Sequence, residues 1–341
     1  MNYYNAIDLF SGCGGLSEGL RAAGFNVIAA FDNDADSVAT YRLNHPGTKV
    51  FEVDIRNVNT AEIVRILNGS PLHLLAGCPP CQGFSSIRRL NKKRSAKDER
   101  NNLVLEYLRF VKELRPFTIM MENVPGLLYY SLFKSIVKEL KKMGYNPKVK
   151  IVDIQQYGVP QRRKRLVMVG SLLGDLDTAK PTGEKVTVRD MIGHLESVFK
   201  TQDPVHRIVA SHTPKVMERI KATPKNGGSR DDLPPKFELN CHKKERVGFN
   251  DVYGRLRWDT FSSTITGGCL NPSKGRFLHP EKNRAITARE AAMLQTFPQT
   301  YKFPENISKT SISLLIGNAL PPKFSYLQSI NILSHLKSCG I

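Results

Sequence analysis

Ala6-Ile7-Asp8-Leu9-Phe10 runs without a break into Ser11-Gly12-Cys13-Gly14-Gly15, after which Leu16, Leu20 and Ala23 recur at helical spacing. A strand that turns on glycines directly into a helix leaves few folds open. The glycines let backbone N–H groups and the helix N-terminus approach a ligand closely, which is the logic of a nucleotide-type cofactor site. A second strand, Phe25 to Phe31, ends in Asp32-Asn33-Asp34, and Asp32 stands twenty residues after Gly12. An acid at that remove suits a ribose diol, whose two hydroxyls donate to one carboxylate. A third strand, Val50 to Val53, closes with Asp54-Ile55, where an acid can accept from an adenine amino group. The turn is not a full Gly-x-Gly-x-x-Gly and no phosphate-binding Gly-Lys-Ser/Thr loop follows, so an adenosyl cofactor without a pyrophosphate fits better.

The apolar run Leu72 to Ala76 then opens onto Gly77-Cys78-Pro79-Pro80-Cys81-Gln82-Gly83-Phe84-Ser85. Such a run reads as a buried strand, and an open α/β sheet puts its chemistry at that strand end. The segment beyond, Ser86 to Arg100, carries seven basic residues against two acidic ones and reads as a surface loop able to clamp phosphates; the plain alternative is a solvated loop. Leu103 to Leu114 reads as an amphipathic helix. The strand Phe117 to Met121 delivers Glu122-Asn123-Val124, and a glutamate emerging from five apolar residues is expected to hold its proton more tightly than usual. After the helix Leu132 to Met143 and the strand Lys148 to Val152 comes Gln161-Arg162-Arg163-Lys164-Arg165, leading into the strand Leu166 to Gly170. Four consecutive cations entering a buried strand need an anion or a polar base edge to meet them.

From about Leu173 the helix–strand alternation fades, and residues 176–286 read as a separate loop-rich domain; residues 1–175 with 287–341 form the catalytic and cofactor-binding one. The predicted fold class is α/β, a mixed sheet with helices on both faces. Lysine and arginine number 50 against 31 acidic residues, a net charge of +19, which favours a polyanion and nucleic acid first. The six cysteines, at 13, 78, 81, 241, 269 and 339, lack the paired spacing of a zinc site and the density of a disulfide scaffold, so no metal is expected and reduced thiols are. No run approaches the ~20 apolar residues of a membrane span. A soluble, cytoplasmic protein without membrane partners is expected.

The order of motifs resembles the cytosine-5 DNA methyltransferases. The resemblance rests on Asp8-Leu9-Phe10-Ser11-Gly12-Cys13-Gly14-Gly15, Pro79-Pro80-Cys81-Gln82, Glu122-Asn123-Val124, Gln161 to Arg165, Arg289-Glu290 and Gly317-Asn318-Ala319. It implies a Rossmann-like S-adenosylmethionine-dependent fold with a target-recognition domain at 176–286. It also implies that Phe10, Ser11, Gly12, Gly14, Gly15 and Leu16 hold S-adenosylmethionine, Asp32 with Asn33 its ribose side, and Asp54 with Ile55 its adenine, with Pro80, Leu103, Asn318 and Ala319 completing the pocket. Cys81 would be the nucleophile, Glu122 the group bonding N3 and the amino group of cytosine, and Arg163 with Arg165 the neighbours of its carbonyl and sugar-phosphate. Asp98 and Arg100 would brace the basic loop. The family usually carries glutamate where Asp32 stands, and a large apolar residue where Asn33 stands.

Carbon 5 of cytosine is too weak a nucleophile to take a sulfonium methyl group, so a thiolate must first add at carbon 6; a free cysteine is only a few per cent thiolate at neutral pH and needs cationic surroundings. The base must leave the duplex for this, at a cost of about a few kcal/mol. Closure of the loop through Arg88, Arg89 and Lys92, with Gln82 or Ser85 near the vacated space, would compensate. Arg230, Arg255 and Arg257 are candidates for base readout, with phosphate contact the alternative for each, and Thr264 and Thr266 are expected to position the backbone. A thiol-redox enzyme would use Cys78 and Cys81 but leaves Glu122 and the glycine turn unexplained. A zinc deaminase needs a His-x-Glu that is lacking, and a non-catalytic DNA-binding homologue would not need both the nucleophile and Glu122. The tRNA-acting branch typically carries Cys-Phe-Thr in the variable region, where Ser262-Ser263-Thr264-Ile265-Thr266 stands here. The expected partner is double-stranded DNA, acted on by a monomer in a bacterial nucleoid, with a restriction endonuclease sharing the site.

Overall fold

A computed structural model describes residues 4–80, 102–238 and 251–341. The chain forms two compact units, one from Met1–Tyr157, Lys164–Thr182 and Leu320–Ile341, the other from Gly158–Arg163 and Gly183–Ala319. The first holds a seven-stranded sheet in the order β3-β2-β1-β4-β5-β7-β6. Its strands are β1 (Tyr4–Leu9), β2 (Phe25–Asp32), β3 (Lys49–Glu52), β4 (Leu74–Gly77), β5 (Thr118–Asn123), β6 (Lys148–Asp153) and β7 (Lys164–Ser171). β1 to β5 run parallel, and β7 is antiparallel to both of its neighbours. Strands covered on both faces read as unbroken apolar runs, which is why β1, β4 and β5 were legible as such.

Helices α1 (Gly15–Ala22), α2 (Ala35–Asn44), α3 (Thr60–Leu67), α4 (Leu103–Leu114) and α5 (Ser131–Lys142) accompany the strands. Ile63, Tyr107, Phe110, Ile136 and Leu140 pack with Ile7, Leu9, Phe31, Leu75 and Ile119 in the main core. Tyr107 also staples β4 to β5, its hydroxyl donating to the carbonyls of Met120 at 2.9 Å and Leu75 at 3.2 Å. Strand order reverses between β1 and β4, so the crevice outside their carboxyl ends is the place where an open α/β sheet binds ligands. Gly77 closes β4 there because a Cβ would lie 2.9 Å from the Leu9 carbonyl oxygen.

The second unit contains α6 (Val188–Ile192), α7 (Pro214–Ala222), α8 (Ala288–Leu294) and α9 (Lys309–Asn318). Its described residues pair in strand fashion only at isolated bridges, such as Arg255 with Leu278. Here the division differs from the one drawn on sequence, since 287–319 belong to this unit by compactness. The cause is packing: Gly317 abuts the backbone of Thr266 and Gly267, where a Cβ would be 2.1 Å away, and the Gln295 side chain donates to the Ile316 carbonyl at 2.6 Å. The chain then returns to the first unit as α10 (Pro322–Ser338), whose Ser325 donates to the Leu16 carbonyl at 2.6 Å and seats directly against Gly19. No helix of the described residues is long and apolar enough to cross a membrane.

Candidate active site

Four strand ends of the first unit converge on the switch point. At the end of β1, Phe10 and Gly12 take left-handed φ angles of 58° and 53°, which turns the chain sharply. Ser11 N–H donates to the Phe31 carbonyl at 2.9 Å, and Gly12 N–H donates to Asp32 Oδ2 at 2.8 Å. The spacing read from sequence is therefore a physical link. Asp32 Oδ1 accepts from Asp34 N–H at 3.0 Å, so both oxygens are anchored by backbone and each keeps a further lone pair for a ligand hydroxyl. Burial raises the Asp32 pKa, while those backbone bonds oppose the rise. Helix α1 has Gly14, φ 95°, at its N-cap position, with no side-chain cap. The Ser17 N–H of the first turn is engaged by Asp8, and the N–H groups before it are not capped by a side chain, so the turn fits the carboxylate end of an amino-acid-bearing cofactor.

Behind this turn lies a buried chain of hydroxyls. Tyr41 donates to Ser17 Oγ at 2.6 Å, and Ser17 donates to Asp8 Oδ2 at 2.6 Å. Asp8 is fully buried and its Oδ1 has no hydrogen-bond partner among the described residues. Desolvation raises its pKa to about 7, against the lowering effect of the Ser17 bond.

At the ends of β4 and β5 stand Cys78-Pro79-Pro80 and Glu122-Asn123. The Asn123 side-chain amide donates to the Pro79 carbonyl at 2.8 Å and its oxygen accepts from Val124 N–H at 2.8 Å, bracing one strand exit on the other. Sequence reading gave Asn123 no role of its own; the signal was a second polar residue directly after Glu122 in a buried strand. Glu122 is buried, and its Oε1 lies 2.7 Å from Arg165 Nε. Glu122 pairs with Val167 across β5 and β7, so Arg165 is the diagonal neighbour on the same face. The carboxylate that emerges from the apolar strand thus has a cationic partner that the strand's own sequence did not disclose. Burial lowers the Arg165 pKa, with Glu122 opposing. The Cys78 thiol is pushed well up, first by burial and then by the charges of Glu122 and Asp8, which makes it a poor nucleophile.

Other expected residues are placed differently. Asp54 is engaged by Arg56, whose Nε donates at 2.9 Å and 3.1 Å to its two oxygens and whose Nη2 adds 2.5 Å; these bonds pull its pKa down to about 2. An adenine amino group would have to share that carboxylate, and Ile55 beside it is buried. Leu103 packs partly buried against the core. Pro80 is half-buried at its turn, and Asn318 and Ala319 close α9 in the second unit.

The four cations 162–165 alternate. Arg162 and Lys164 are exposed, Arg163 is buried, and Arg165 reaches Glu122. The Arg163 guanidinium donates to the carbonyls of Ile265 at 2.9 Å, Gly317 at 3.3 Å and Ala319 at 3.4 Å, so it binds backbone of the second unit rather than presenting itself to a base. Arg255 is a clearer correction. It is fully buried, with its guanidinium donating to the carbonyls of Thr223, His279, Lys282 and Ile220 and to Asn283 Oδ1, all within 3.0 Å. No hydrogen-bonding edge of it is left for DNA. Arg230 is largely buried beside Asp231, at 3.3 Å, whereas Arg257 is exposed. Thr264 donates to the Arg162 carbonyl at 2.5 Å, and Thr266 Oγ1 accepts from Gly268 N–H at 3.4 Å. Cys81, Gln82, Ser85, Arg88, Arg89, Lys92, Asp98 and Arg100 lie outside the described residues.

Known proteins share this arrangement. A family model described as C-5 cytosine-specific DNA methylase matches residues 4–330. The type II methylase M.HgiDII of Herpetosiphon aurantiacus is 37% identical over 328 residues, 92% of this chain and 91% of that one. The type II methyltransferase M1.HphI of Haemophilus parahaemolyticus is 32% identical, covering 93% and 83%. Among solved structures, the Dnmt2 methyltransferase of S. pombe superposes with a TM-score of 0.68 at 21% identity over 98% of this chain and 99% of that one, a likeness of fold. By its motifs, its sheet and these matches, the chain belongs to the C-5 cytosine-specific DNA methylase family.

Proposed function

We propose that this cytosine-5 DNA methyltransferase works through Cys81 as nucleophile and the Glu122–Arg165 pair as its acid and the acid's support. The observation that carries the reading is that pair, 2.7 Å apart at the carboxyl end of β5, next to the Pro79-Pro80 turn that leads into Cys81. Cys78, three residues earlier, is made inert by burial and by Glu122, which leaves the thiol after Pro80 as the reactive one.

The Cys81 thiolate adds to carbon 6 of a flipped cytosine. As the carbon 5–carbon 6 double bond opens, negative charge develops at N3, and Glu122, oriented by Arg165, offsets it by protonating or hydrogen-bonding N3. Carbon 5 is now nucleophilic. S-adenosylmethionine, held by the turn Phe10 to Leu16 and by Asp32, supplies an electrophilic methyl group when bound. Loss of the carbon 5 proton to a water-derived base re-forms the double bond and expels Cys81 as thiolate, and a proton taken at N3 returns to Glu122. Arg163, with its guanidinium on the carbonyls of Ile265 and Gly317, acts by holding the second unit's backbone. The substrate is double-stranded DNA, the second unit reads its sequence, and a bacterial setting with a restriction endonuclease of the same specificity suits the similarity to type II enzymes. Arg88, Arg89 and Lys92 are the proposed partners of DNA phosphates, and Gln82 or Ser85 that of the space the base leaves.

Methylating DNA with labelled S-adenosylmethionine and mapping the product by bisulfite sequencing tests the reaction. Absence of 5-methylcytosine in every context, from folded protein, sinks it. Duplexes with 5-fluorocytosine at the target should trap a covalent adduct, because fluorine cannot leave as a proton does. Cys81→Ser should abolish the adduct, and Cys78→Ser should retain it.

A further inference from the structure

Arg257 differs from the arginines that crosslink the loops around it. Arg255, Arg276 and Arg289 spend their guanidinium groups on carbonyls and carboxylates, and Arg257, though exposed, forms no hydrogen bond among the described residues. Its backbone is nevertheless fixed. The flanking Leu256 and Trp258 are buried, Arg255 N–H donates to the Gly228 carbonyl at 2.8 Å, and Trp258 N–H donates to Asn226 Oδ1 at 2.8 Å. The facing loop is fixed as well, since Arg276 donates to the carbonyls of Gly227, Gly228 and Arg255 at 2.9, 3.2 and 3.0 Å.

Gly227 is the seat between them. Its φ is 110°, and a Cβ there would lie 2.2 Å from Arg257 Nε, 2.4 Å from Cγ and 2.7 Å from Cδ. The Arg257 side chain is therefore laid across a glycine and oriented before any ligand arrives. A rigid, exposed guanidinium with its donors free suits a planar acceptor pair.

We infer that Arg257, seated on Gly227, is a specificity-determining residue that reads the O6/N7 edge of a guanine in the recognition sequence. Arginine meets that edge with two parallel hydrogen bonds. A base edge suits the surroundings better than a phosphate does. Asp231 and Asp232 are exposed close by, Asp232 is capped by Ser229 N–H at 2.7 Å, and its pKa is held down by those Ser229 bonds and then by the charges of Arg276 and Arg257. Asp231, paired with Arg230, and Asp232, facing Arg276 and Arg257, balance the local positive charge, so the net positive field that draws a phosphate is missing and a neutral guanine edge suits the guanidinium better.

The inference rests on the DNA-methylating reaction, and its test separates the two. Full-length wild type, Arg257→Ala, Arg257→Lys and Gly227→Ala are each used to methylate a randomised duplex library, read by bisulfite sequencing at two salt concentrations. Arg257→Ala should lose about 10- to 100-fold of discrimination at one G·C position and keep it elsewhere, with an unchanged unfolding midpoint. Arg257→Lys, which keeps the charge and loses the bidentate edge, should relax the same position without changing the salt dependence. Gly227→Ala should relax it too, with Arg257 still present. Equal loss across all sequences with a shallower salt dependence would assign Arg257 to phosphate and overturn the inference, as would unchanged selectivity in Arg257→Ala. Wild type that methylates no cytosine would instead overturn the reaction on which the inference depends.

Discussion

Glu122 in the first unit and Arg255 in the second are both buried charges, and they are held in opposite ways. Glu122 occupies a strand rung, so the register of β5 on β7 sets its position and brings Arg165 to it. Around Arg255 there is only an isolated bridge, to Leu278, and the loops that meet there carry carbonyl groups that still need donors. A guanidinium has five N–H donors in a fixed plane, and Arg255 gives them to five acceptors from two separate segments, 220–223 and 279–283. Arg276 does the same for Gly227, Gly228 and Arg255, and Arg163 for Ile265, Gly317 and Ala319. In one unit the sheet places the arginine. In the other, arginines take the place of the sheet, and part of the chain's +19 charge is interior mortar rather than a surface for DNA.

The comparison breaks if Arg255→Ala is tolerated. Removing five bonds from a charged donor leaves buried acceptors unpaired, and a loss of about 5 kcal/mol or more is expected, enough to unfold the second unit while the first keeps its helical signal. Urea unfolding followed by Trp258 fluorescence and by circular dichroism would show two separated transitions. A single unshifted transition would count against the crosslinking role.

In the first unit Asp8 carries a large electrostatic cost, packed against Ser17 of α1, with Tyr41 of α2, Asp32 of β2 and Cys78 after β4 around it. Its pKa is about 7 in the folded chain, against an ordinary 3.8. Between those values the folded state binds a proton that the unfolded chain has released, so this group makes stability fall as pH rises from about 4 to 7, by up to about 4 kcal/mol. Asp8→Asn should flatten that part of the pH profile of unfolding free energy relative to wild type. Next in size is Gly77→Ala. The new methyl group meets the Leu9 carbonyl at 2.9 Å and the Leu9 Cβ at 3.0 Å, so β1 and β4 must part, at ~1–3 kcal/mol. S-adenosylmethionine affinity, measured by calorimetry, should fall with it.

The units also differ in how far the sequence discloses them. Apolar runs with polar ends mark β1, β2, β4 and β5, and the twenty-residue interval marks Asp32, because a parallel sheet imposes both patterns on the chain itself. Arg165 beside Glu122 was hidden, since it depends on the register of two strands far apart in sequence. Arg56, two residues after Asp54, was a visible competitor for that carboxylate. Arg255 and Arg257 are indistinguishable as letters. Irregular loops have no period to say which side chain points inward, and only the buried Leu256 and Trp258 on either side reveal that one arginine is structural and the other exposed.

Asn123→Ala is the smallest change and the sharpest test of placement by strand register. It removes two hydrogen bonds, one given to the Pro79 carbonyl and one accepted from Val124 N–H, and should cost about 1–2 kcal/mol of stability. Glu122 stays on its rung, so the acid and Arg165 are untouched. What loosens is the exit of β4, which carries the chain through Pro80 to Cys81. The rate of adduct formation with a 5-fluorocytosine duplex should therefore fall about tenfold, through misplacement of the thiol, while the KM for DNA holds. Asn123→Asp sets a carboxylate against the Pro79 carbonyl and should be slower still. If both variants formed adduct at the wild-type rate, the turn would be held by its prolines alone and Asn123 would serve only the end of its own strand.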